Sequence, residues 1–263
     1  MSKIVVITAE NMASRLITES LIESLSDEIS CVFILSNVPT SNKKEVKRFL
    51  RLLRKVSWHF LAYKFVEINI HNLMARLRGR TIEKTARKYG VPIKKYASPC
   101  DVEFFDELGR IQPDLLLSSG PVILPSEVLD IPTIATLNCH GGRLPEYQGV
   151  ANYLWMMLDG VSVAHSSVQV MEAVIDAGPV IAETAISVGG DWSVHRLNYE
   201  VSVAGGKLYG DVARQVLMEG VPEKIQRPNA KPSYKGLPSS VDFARLRQFG
   251  KRLITFGDIV KYL

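Results

Sequence analysis

The sequence predicts an α/β fold: a Rossmann-like, mostly parallel β-sheet with helices on both faces. Residues 3–8 form a β-branched run, which is followed by a helical pattern and then by a second apolar run at 31–35. Two more strand-like runs, at 114–120 and 133–140, flank a short helical stretch that begins near Pro125. Strands that alternate with helices in this way favour βαβ units, in which the strands are parallel.

Weaker patterns complete the predicted order of elements. We expect one further strand at 166–171. We expect five further helices, at 43–80, 82–89, 104–111, 150–160 and 193–219. After Gly220, prolines and glycines become frequent, which predicts a small irregular or β-rich C-terminal tail. The expected division is therefore a main domain at 1–220 and a small extension at 221–263.

The composition is that of an ordinary globular protein, with 46% hydrophobic and 22% charged residues. The sequence has no apolar run long enough to span a membrane. Its three cysteines are scattered, which is typical of a reducing compartment. We therefore expect a cytoplasmic protein without membrane insertion. The net charge of +5 permits anionic ligands but does not demand nucleic acid.

Two segments narrow the choice of ligand. The first predicted turn, residues 8–14, contains no glycine, whereas a dinucleotide fingerprint needs glycines there. The basic segment at 43–80 has apolar residues at helical spacing and cations on its other side. We interpret it as an amphipathic core helix with a solvated cationic face, in preference to a membrane- or phosphate-binding element.

The segment from Asn138 to Gly149 bears the most chemistry. Alternate side chains of a strand share one face, so Asn138 and His140 are expected to project to the same side. Two polar side chains at the end of a buried strand must be hydrogen-bonded or must face a cleft. Asp176 follows the next predicted strand, in a loop closed by Gly178 and a proline. The residues alone leave open whether this cluster is structural or catalytic.

The order of the motifs resembles the 10-formyltetrahydrofolate-dependent formyltransferase family. The resemblance covers roughly residues 85–215. It rests on four successive motifs, Asn138-x-His140, Leu144-Pro145, Tyr147-x-Gly149 and Asp176-x-Gly178.

The resemblance implies a formyltransferase that uses 10-formyltetrahydrofolate as co-substrate, a primary amine as acceptor and no metal. Asn138 would donate to the oxyanion of a tetrahedral intermediate. His140 would complete that oxyanion site or take the proton of the attacking amine. Asp176 would hold and polarise His140 and relay a proton. The expected catalytic residues are therefore Asn138, His140 and Asp176.

The resemblance also implies two sets of binding residues. The folate is expected to contact the loop after the 114–120 strand and the segment before Asp176, through Ser119, Gly120, Pro121, Val122, Ile123, Leu124, Ala173, Val174 and Ile175. The acceptor is expected to contact Asn11, Met12, Gly141, Gly142, Arg143, Tyr147 and Tyr153. Three features depart from the family pattern and predict distinctive acceptor contacts: the run His165-Ser166-Ser167, Gln169, and Gln148 in place of an arginine.

Three acceptor classes compete. A methionyl-tRNA formyltransferase would carry a separate basic barrel domain after the catalytic one, and the residues after Gly220 are too few for it. A glycinamide ribonucleotide formyltransferase would use a glycine-rich first turn. The layout is most similar to the sugar N-formyltransferases. These act on nucleotide-linked amino-deoxysugars for surface polysaccharides such as O-antigen.

Two further hypotheses remain, a formyltetrahydrofolate hydrolase and a noncatalytic homologue. The hydrolase relatives carry a regulatory domain, and a noncatalytic homologue would be expected to lack one residue of the trio. The expected partner is therefore a small-molecule amine, a nucleotide-linked amino sugar, and not nucleic acid. The tail is a candidate contact for a homodimer.

Overall fold

The computed structural model describes residues 3–35 and 57–262. The strands in these ranges are β1 (Ile4–Ala9), β2 (Ile29–Leu35), β3 (Ile93–Tyr96), β4 (Leu115–Ser119), β5 (Ala135–His140), β6 (Gln148–Gly149), β7 (Val163–Val170), β8 (Val180–Ser187) and β9 (Tyr234–Lys235). The helices are α1 (Met12–Leu25), α2 (Trp58–Phe65), α3 (His71–Leu77), α4 (Ile82–Tyr89), α5 (Val102–Ile111), α6 (Ser126–Leu129), α7 (Asn152–Leu158), α8 (Val194–Glu219), α9 (Ser240–Gln248) and α10 (Phe256–Tyr262). A π-helical turn, Val66–Ile70, joins α2 to α3.

Within the described ranges the main sheet has seven strands, in the order β3-β2-β1-β4-β5-β7-β8. The first five pair in parallel. The last two run antiparallel to their neighbours. The prediction of a mostly parallel sheet is confirmed. Of the helix predicted over 43–80, the part up to residue 56 lies outside the described residues, and most of the rest is helical.

The central strands are buried on both faces, which is why they appear in the sequence as continuous apolar runs. Ile4 and Val6 of β1 pack into one core cluster together with residues of α1 and α8. Val5 and Ile7 point the other way, into a cluster that includes Phe104 of α5. Helices therefore cover both faces of the sheet, as predicted.

Helix α8 lies unusually close to its neighbours and fixes the end of β5. A Cβ atom at Gly206 would lie 2.9 Å from the Cβ of Ser20 and 3.2 Å from the Cα of Ile17, so glycine permits close packing on α1. One turn later, the Tyr209 hydroxyl donates to the carbonyl of Leu137 over 2.7 Å. This contact anchors the backbone directly before Asn138.

The C-terminal segment is more helical than the sequence predicts. It contains the short strand β9, which pairs in parallel with β6. It also contains α9 and α10, which the sequence analysis did not predict. Helix α9 begins with a capping box, in which Asp242 accepts from the backbone of Ser239 over 2.8 Å. Phe243 and Leu246 are the only residues of α9 buried in the core, too few to produce a clear helical pattern in the sequence.

None of the helices in the described ranges combines the length and the apolar character that a membrane crossing requires.

Candidate active site

The predicted catalytic segment lies where parallel strands end. β5 ends at His140, and the neighbouring strand β4 ends at Ser119. Ser118 of β4 is in register with Asn138, and Gln169 of β7 lies opposite Asn138 on the other side. Open α/β sheets form their clefts at this edge.

The structure brings His140 and Asp176 together although they are far apart in the chain. The Nδ1 atom of His140 lies 3.4 Å from Oδ1 of Asp176, and their side chains are only 8% and 11% exposed. Asn138 lies two residues before His140 on the same strand, half-buried. No hydrogen bond within the described ranges engages its side-chain amide, which therefore remains available to a ligand.

Three hydrogen bonds and the contact with His140 hold Asp176 in place. Its Oδ2 accepts from the backbone N–H of Gly149 over 2.8 Å. Its Oδ1 accepts from Gln169 over 3.2 Å, in addition to facing His140. The Gln148 side chain donates to the Asp176 carbonyl over 2.8 Å. Gln148 and Gln169, two departures from the family pattern, therefore position the carboxylate.

These contacts determine the ionisation of Asp176. Burial alone would raise the pKa of this carboxyl group, but the hydrogen bond and charge of His140 oppose that effect. The Gly149 N–H and the Gln169 amide oppose it further. The net effect lowers the pKa below its usual 3.8, so Asp176 is a carboxylate at neutral pH.

The second ring nitrogen of His140 is also engaged. Its Nε2 lies 2.6 Å from the Tyr147 carbonyl and 2.8 Å from Nδ2 of Asn152. A carbonyl oxygen can only accept and an amide NH2 group can only donate, so Nε2 bonds to Tyr147 when it carries a proton and to Asn152 when it does not. Asn152 also donates to the carbonyl of Gly149 over 3.2 Å. Asn152 was not predicted as a site residue. Its one signal in the sequence is a polar residue at the start of an otherwise apolar helix, and the structure shows that it is buried.

Two buried serines fix the loop that follows His140. The Ser166 hydroxyl donates to the His140 carbonyl over 3.1 Å. The Ser167 hydroxyl donates to the Gly142 carbonyl over 2.9 Å and receives the Leu144 N–H over 3.3 Å. Ser166 and Ser167, two residues of the third departure from the family pattern, therefore support the backbone of the site.

The predicted folate segments lie on the surface around this edge. Ser119 is buried, and its hydroxyl bonds to Thr18 over 2.8 Å. Gly120 has φ +147°, a conformation that favours glycine. Leu124 is buried in the core, and Val122 packs partly against it. The apolar side chains left exposed are those of Ile123, Val174 and Ile175, with Pro121 and Ala173 also exposed.

The predicted acceptor residues divide into two groups. Met12 is fully buried, and Asn11 is buried and caps α1 by accepting from the N–H of Ser14. Tyr153 is partly buried and bonds to Lys64, and burial raises the pKa of its hydroxyl. The residues that line the surface beside His140 are Gly141, Gly142, Arg143 and Tyr147, of which Gly142 is buried.

The C-terminal segment forms one wall next to this surface. The Lys235 ammonium lies 5.5 Å from the centre of the Tyr147 ring and 5.7 Å from that of Trp155. Trp155 donates its indole N–H to the Gly236 carbonyl over 3.1 Å. Arg227 donates to the Leu144 carbonyl. Sequence reasoning did not select Lys235 or Arg227, because both lie in the proline-rich tail.

No group of three or more His, Cys, Asp or Glu side chains is arranged to hold a metal ion in the part of the chain that the structure describes.

Solved structures place the fold among the formyltransferases. An N-formyltransferase from Helicobacter canadensis, in complex with folinic acid and dTDP-3-aminofucose, aligns with a TM-score of 0.57 at 14% identity. That alignment covers 89% of this chain and 71% of the other. A phosphoribosylglycinamide formyltransferase from Anaplasma phagocytophilum aligns with a TM-score of 0.58 at 17% identity, over 89% and 99% of the two chains. At these identities the likeness concerns the fold.

A match in sequence identifies the family to which the chain belongs. The profile of the formyl transferase family matches residues 67–213, more than half of the chain, and the chain belongs to that family. The family prediction is therefore confirmed. Among curated relatives, a methionyl-tRNA formyltransferase of Thermodesulfovibrio yellowstonii is 28% identical over 134 residues. That match covers 50% of this chain and 43% of the relative. The chain thus spans about half the length of the curated relatives that it matches.

Proposed function

We propose that this protein transfers the formyl group of 10-formyltetrahydrofolate to a primary amine. The observation that carries the proposal is the buried pair of His140 and Asp176, beside a free Asn138 amide at the carboxyl end of β5. This pair lies within the stretch that matches the formyl transferase family. The site therefore offers an amide donor, a proton-transferring imidazole and a fixed carboxylate at the carboxyl end of β5.

The reaction needs no nucleophile from the enzyme. The acceptor nitrogen attacks the formyl carbon, so a C–N bond forms and the carbonyl oxygen becomes an oxyanion. The tetrahedral intermediate then collapses, the bond from carbon to N10 of the folate breaks, and the proton lost by the amine ends on N10. The products are a formamide and tetrahydrofolate.

Each of the three proposed catalytic residues acts on one part of this reaction. Asn138 donates its amide to the oxyanion, a contact typically worth about 2.7–4 kcal/mol in the transition state. The Nε2 atom of His140, which meets the Tyr147 carbonyl in the free protein, exchanges that partner for the reacting groups when the donor binds. Asp176 keeps the ring oriented through Nδ1 and stabilises its protonated form.

The donor would lie along two exposed apolar segments. Ile123 on one segment is 72% exposed, and Val174 on the other is 67% exposed. These side chains would supply a donor site with the apolar faces that most ligand pockets have. A flat pterin packed between them would hydrogen-bond to the backbone of the Gly120 loop and of the segment before Asp176.

We propose a nucleotide-linked amino sugar as the acceptor. The wall formed by Tyr147, Trp155 and Lys235 encloses the surface beside His140, which suits a small molecule with a ring and a negative charge. The Helicobacter canadensis protein, which shares the fold, was solved with an amino sugar linked to a nucleotide. On this proposal residues 1–220 carry the catalytic groups and the rest of the chain completes the acceptor wall.

Methionyl-tRNA is the second candidate acceptor, because curated relatives in the sequence comparison are methionyl-tRNA formyltransferases. Formation of tetrahydrofolate from 10-formyltetrahydrofolate decides between the two when it is measured with nucleotide-linked amino sugars and, separately, with methionyl-tRNA. Turnover that requires an amino-sugar nucleotide supports the sugar assignment. Turnover with methionyl-tRNA alone would replace it, and tetrahydrofolate release without any amine would indicate a hydrolase.

A further inference from the structure

A second concave site lies between α1, α4, α8 and α10, away from the residues assigned to formyl transfer. The cavity has a volume of about 440 Å³. Its lining includes Leu16, Ala75, Thr85 and six cationic side chains, those of Arg15, Arg78, Arg80, Lys84, Lys88 and Lys261. It shares no lining residue with the catalytic trio, the folate segments or the acceptor candidates.

Among the residues that the structure describes, the positive charge is concentrated in this cavity. Two carboxylates, Glu19 and Glu23, accompany the six cations in the lining. The described ranges hold 25 Lys and Arg and 26 Asp and Glu in total, so the balance outside the cavity is reversed, with 19 cations against 24 carboxylates. Cations on several walls of a concave site create a strong positive potential inside it, and this potential attracts anions.

Arg15 forms a fixed part of the lining. Arg15 is only 8% exposed. Its guanidinium contacts Glu19 over 2.7 Å and Nε2 of His71 over 2.7 Å. His71 is neutral, because burial, the charge of Arg15 and that of His195 lower its pKa to about 3. The Nε atom of Arg15 is buried and has no partner among the described residues.

Four of the other cations, those of Arg80, Lys84, Lys88 and Lys261, are available to a ligand. No carboxylate in the described ranges forms an ion pair with Arg80, Lys84, Lys88 or Lys261. Lys84 and Lys88 are one helical turn apart on α4, so their ammonium groups reach the same region. An anionic ligand would therefore gain charge-assisted contacts without displacing an existing ion pair.

An aromatic pair lines the wall formed by α8 and α10. The rings of Tyr199 and Tyr262 have centroids 4.7 Å apart, and both residues line the cavity. Cations beside an aromatic wall, in a volume within the range of about 300–1,000 Å³ for small-molecule sites, fit a phosphorylated compound. A concave site of this volume fits a small molecule better than an extended RNA backbone.

We propose that this cavity binds a small molecule that carries a diphosphate group. The diphosphate bridges Lys84 and Lys88 on α4 to Arg80 and Lys261, and the remainder of the molecule lies against the two tyrosines. The binding does not depend on the formyl-transfer reaction, so the two proposals can fail independently.

Isothermal titration calorimetry on the full chain, with inorganic pyrophosphate, ADP and adenosine as probes, tests this proposal. The informative variant is Lys84→Glu/Lys88→Glu, and its matched control is Lys207→Glu/Lys224→Glu, with the same charge change at exposed positions outside the cavity. We expect pyrophosphate and ADP to bind, adenosine not to bind, and the cavity variant to weaken binding at least about tenfold. The control variant should bind as the wild type does, and the unfolding temperature of each variant confirms that it is folded.

The two phosphate probes identify the source of the diphosphate. Tighter binding of ADP than of pyrophosphate indicates a nucleotide, and equal binding indicates a free diphosphate. Equal affinity of the cavity variant and the control variant for both probes would overturn the proposal. Binding of tRNA that requires Lys84 and Lys88, without binding of either probe, would also overturn it and would make the surface an RNA contact.

Discussion

Asp176 adopts a backbone conformation that is uncommon for a residue with a side chain. Its φ is +54°, in the left-handed region. Such strain is concentrated at functional sites, where the surrounding contacts over-determine the conformation. Here the side chains of Gln148 and Gln169 and the N–H of Gly149 supply those contacts. The chain uses several hydrogen bonds to present one carboxylate oxygen to His140.

Replacing Asp176 with asparagine should remove the charge and keep the shape. We expect Asp176→Asn to lower kcat/KM for formyl transfer by at least about a hundredfold, because His140 loses its orienting carboxylate. Steady-state kinetics with Asp211→Asn, an exposed carboxylate on α8, provides the control. Activity of Asp176→Asn close to that of the wild type would remove Asp176 from the mechanism.

The ionisation of Asp176 should also affect stability. Its pKa in the folded protein is lower than its usual value, so the carboxylate stabilises the fold above the unfolded pKa. This contribution is lost as the pH falls through the folded pKa. Urea unfolding should therefore show the largest difference between wild type and Asp176→Asn near neutral pH, with the difference shrinking below about pH 4. A difference that is constant from neutral to acidic pH would show that the charge contributes nothing.

Asn152 should act on the reaction through His140. Asn152→Ala removes the amide beside Nε2 and favours the helix that Asn152 begins, so the fold should persist. We expect kcat to fall by about 10- to 100-fold with little change in the KM of the formyl donor. Asn229→Ala, at an exposed site in the tail, should have no effect. A change confined to KM would assign Asn152 to donor binding.

Only part of this site could be predicted from the sequence. Asn138, His140 and Asp176 carry a recognisable order and spacing, and the structure brings His140 and Asp176 into contact. The contacts of Asn152 and Gln169 depend on how a helix and a neighbouring strand pack, which no local pattern encodes. Gln148 and Gln169 differ from the family pattern and were singled out for that reason. The difference alone did not predict that they bond to Asp176.

At the scale of elements, three segments meet at Gly149. This residue has φ +95°, and a Cβ atom there would lie 2.3 Å from the carbonyl of Lys235. Its N–H donates to Asp176, and β6, which it ends, pairs with β9. One position that only glycine can occupy therefore links three segments: the loop that follows His140, the loop that contains Asp176 and the C-terminal segment.

Gly149→Ala should disturb all three segments. We expect loss of activity and a loss of stability greater than the roughly 1–2 kcal/mol of a left-handed alanine, because the Cβ also clashes with backbone. Gly160→Ala is the matched control, since Gly160 has φ +66° with nothing within 4 Å of an added Cβ. The control should lose stability but keep its activity, as measured by urea unfolding and turnover. Equal activity of the two variants would contradict the role of Gly149.

The elements differ in how well the sequence predicts them, for a physical reason. Strands buried on both faces, such as β1 and β4, are uniformly apolar and were predicted. The edge strand β3 contains the exposed Lys94 and Lys95, so it lacks that signal, and β8 is only partly buried. The short helices of the tail depend on caps and on a few buried residues, among which Phe243 is fully packed.

At the scale of the whole molecule, the C-terminal segment packs against the loop that follows His140. The N–H of Ser233 bonds to the Pro145 carbonyl, and the N–H of Gln148 bonds to the Ser233 carbonyl, each over 3.0 Å. Lys235 then lies over Tyr147 and Trp155. Tyr147 and Trp155 lie inside the matched region and Lys235 lies beyond it, so on the proposed function acceptor choice is expected to depend on the tail.

Lys235→Ala should separate acceptor binding from donor binding. Removing its charge from the aromatic wall should raise the KM for an anionic amino-sugar nucleotide by about tenfold, while the KM for 10-formyltetrahydrofolate changes little. Lys231→Ala, an exposed lysine four residues earlier, is the control. Equal changes in both KM values would indicate a general loss of structure, and no change would remove Lys235 from the acceptor site.

Transfer of the formyl group itself is the most direct test of the central claim. The purified chain is incubated with 10-formyltetrahydrofolate that carries ¹³C in its formyl group and with a panel of nucleotide-linked amino sugars. Mass spectrometry should show labelled formamide on an amino sugar, in equal amount to the tetrahydrofolate formed, and none with Asp176→Asn. If no amine acceptor, methionyl-tRNA included, acquires the label while the protein is folded and binds the donor, then the chain is not a formyltransferase.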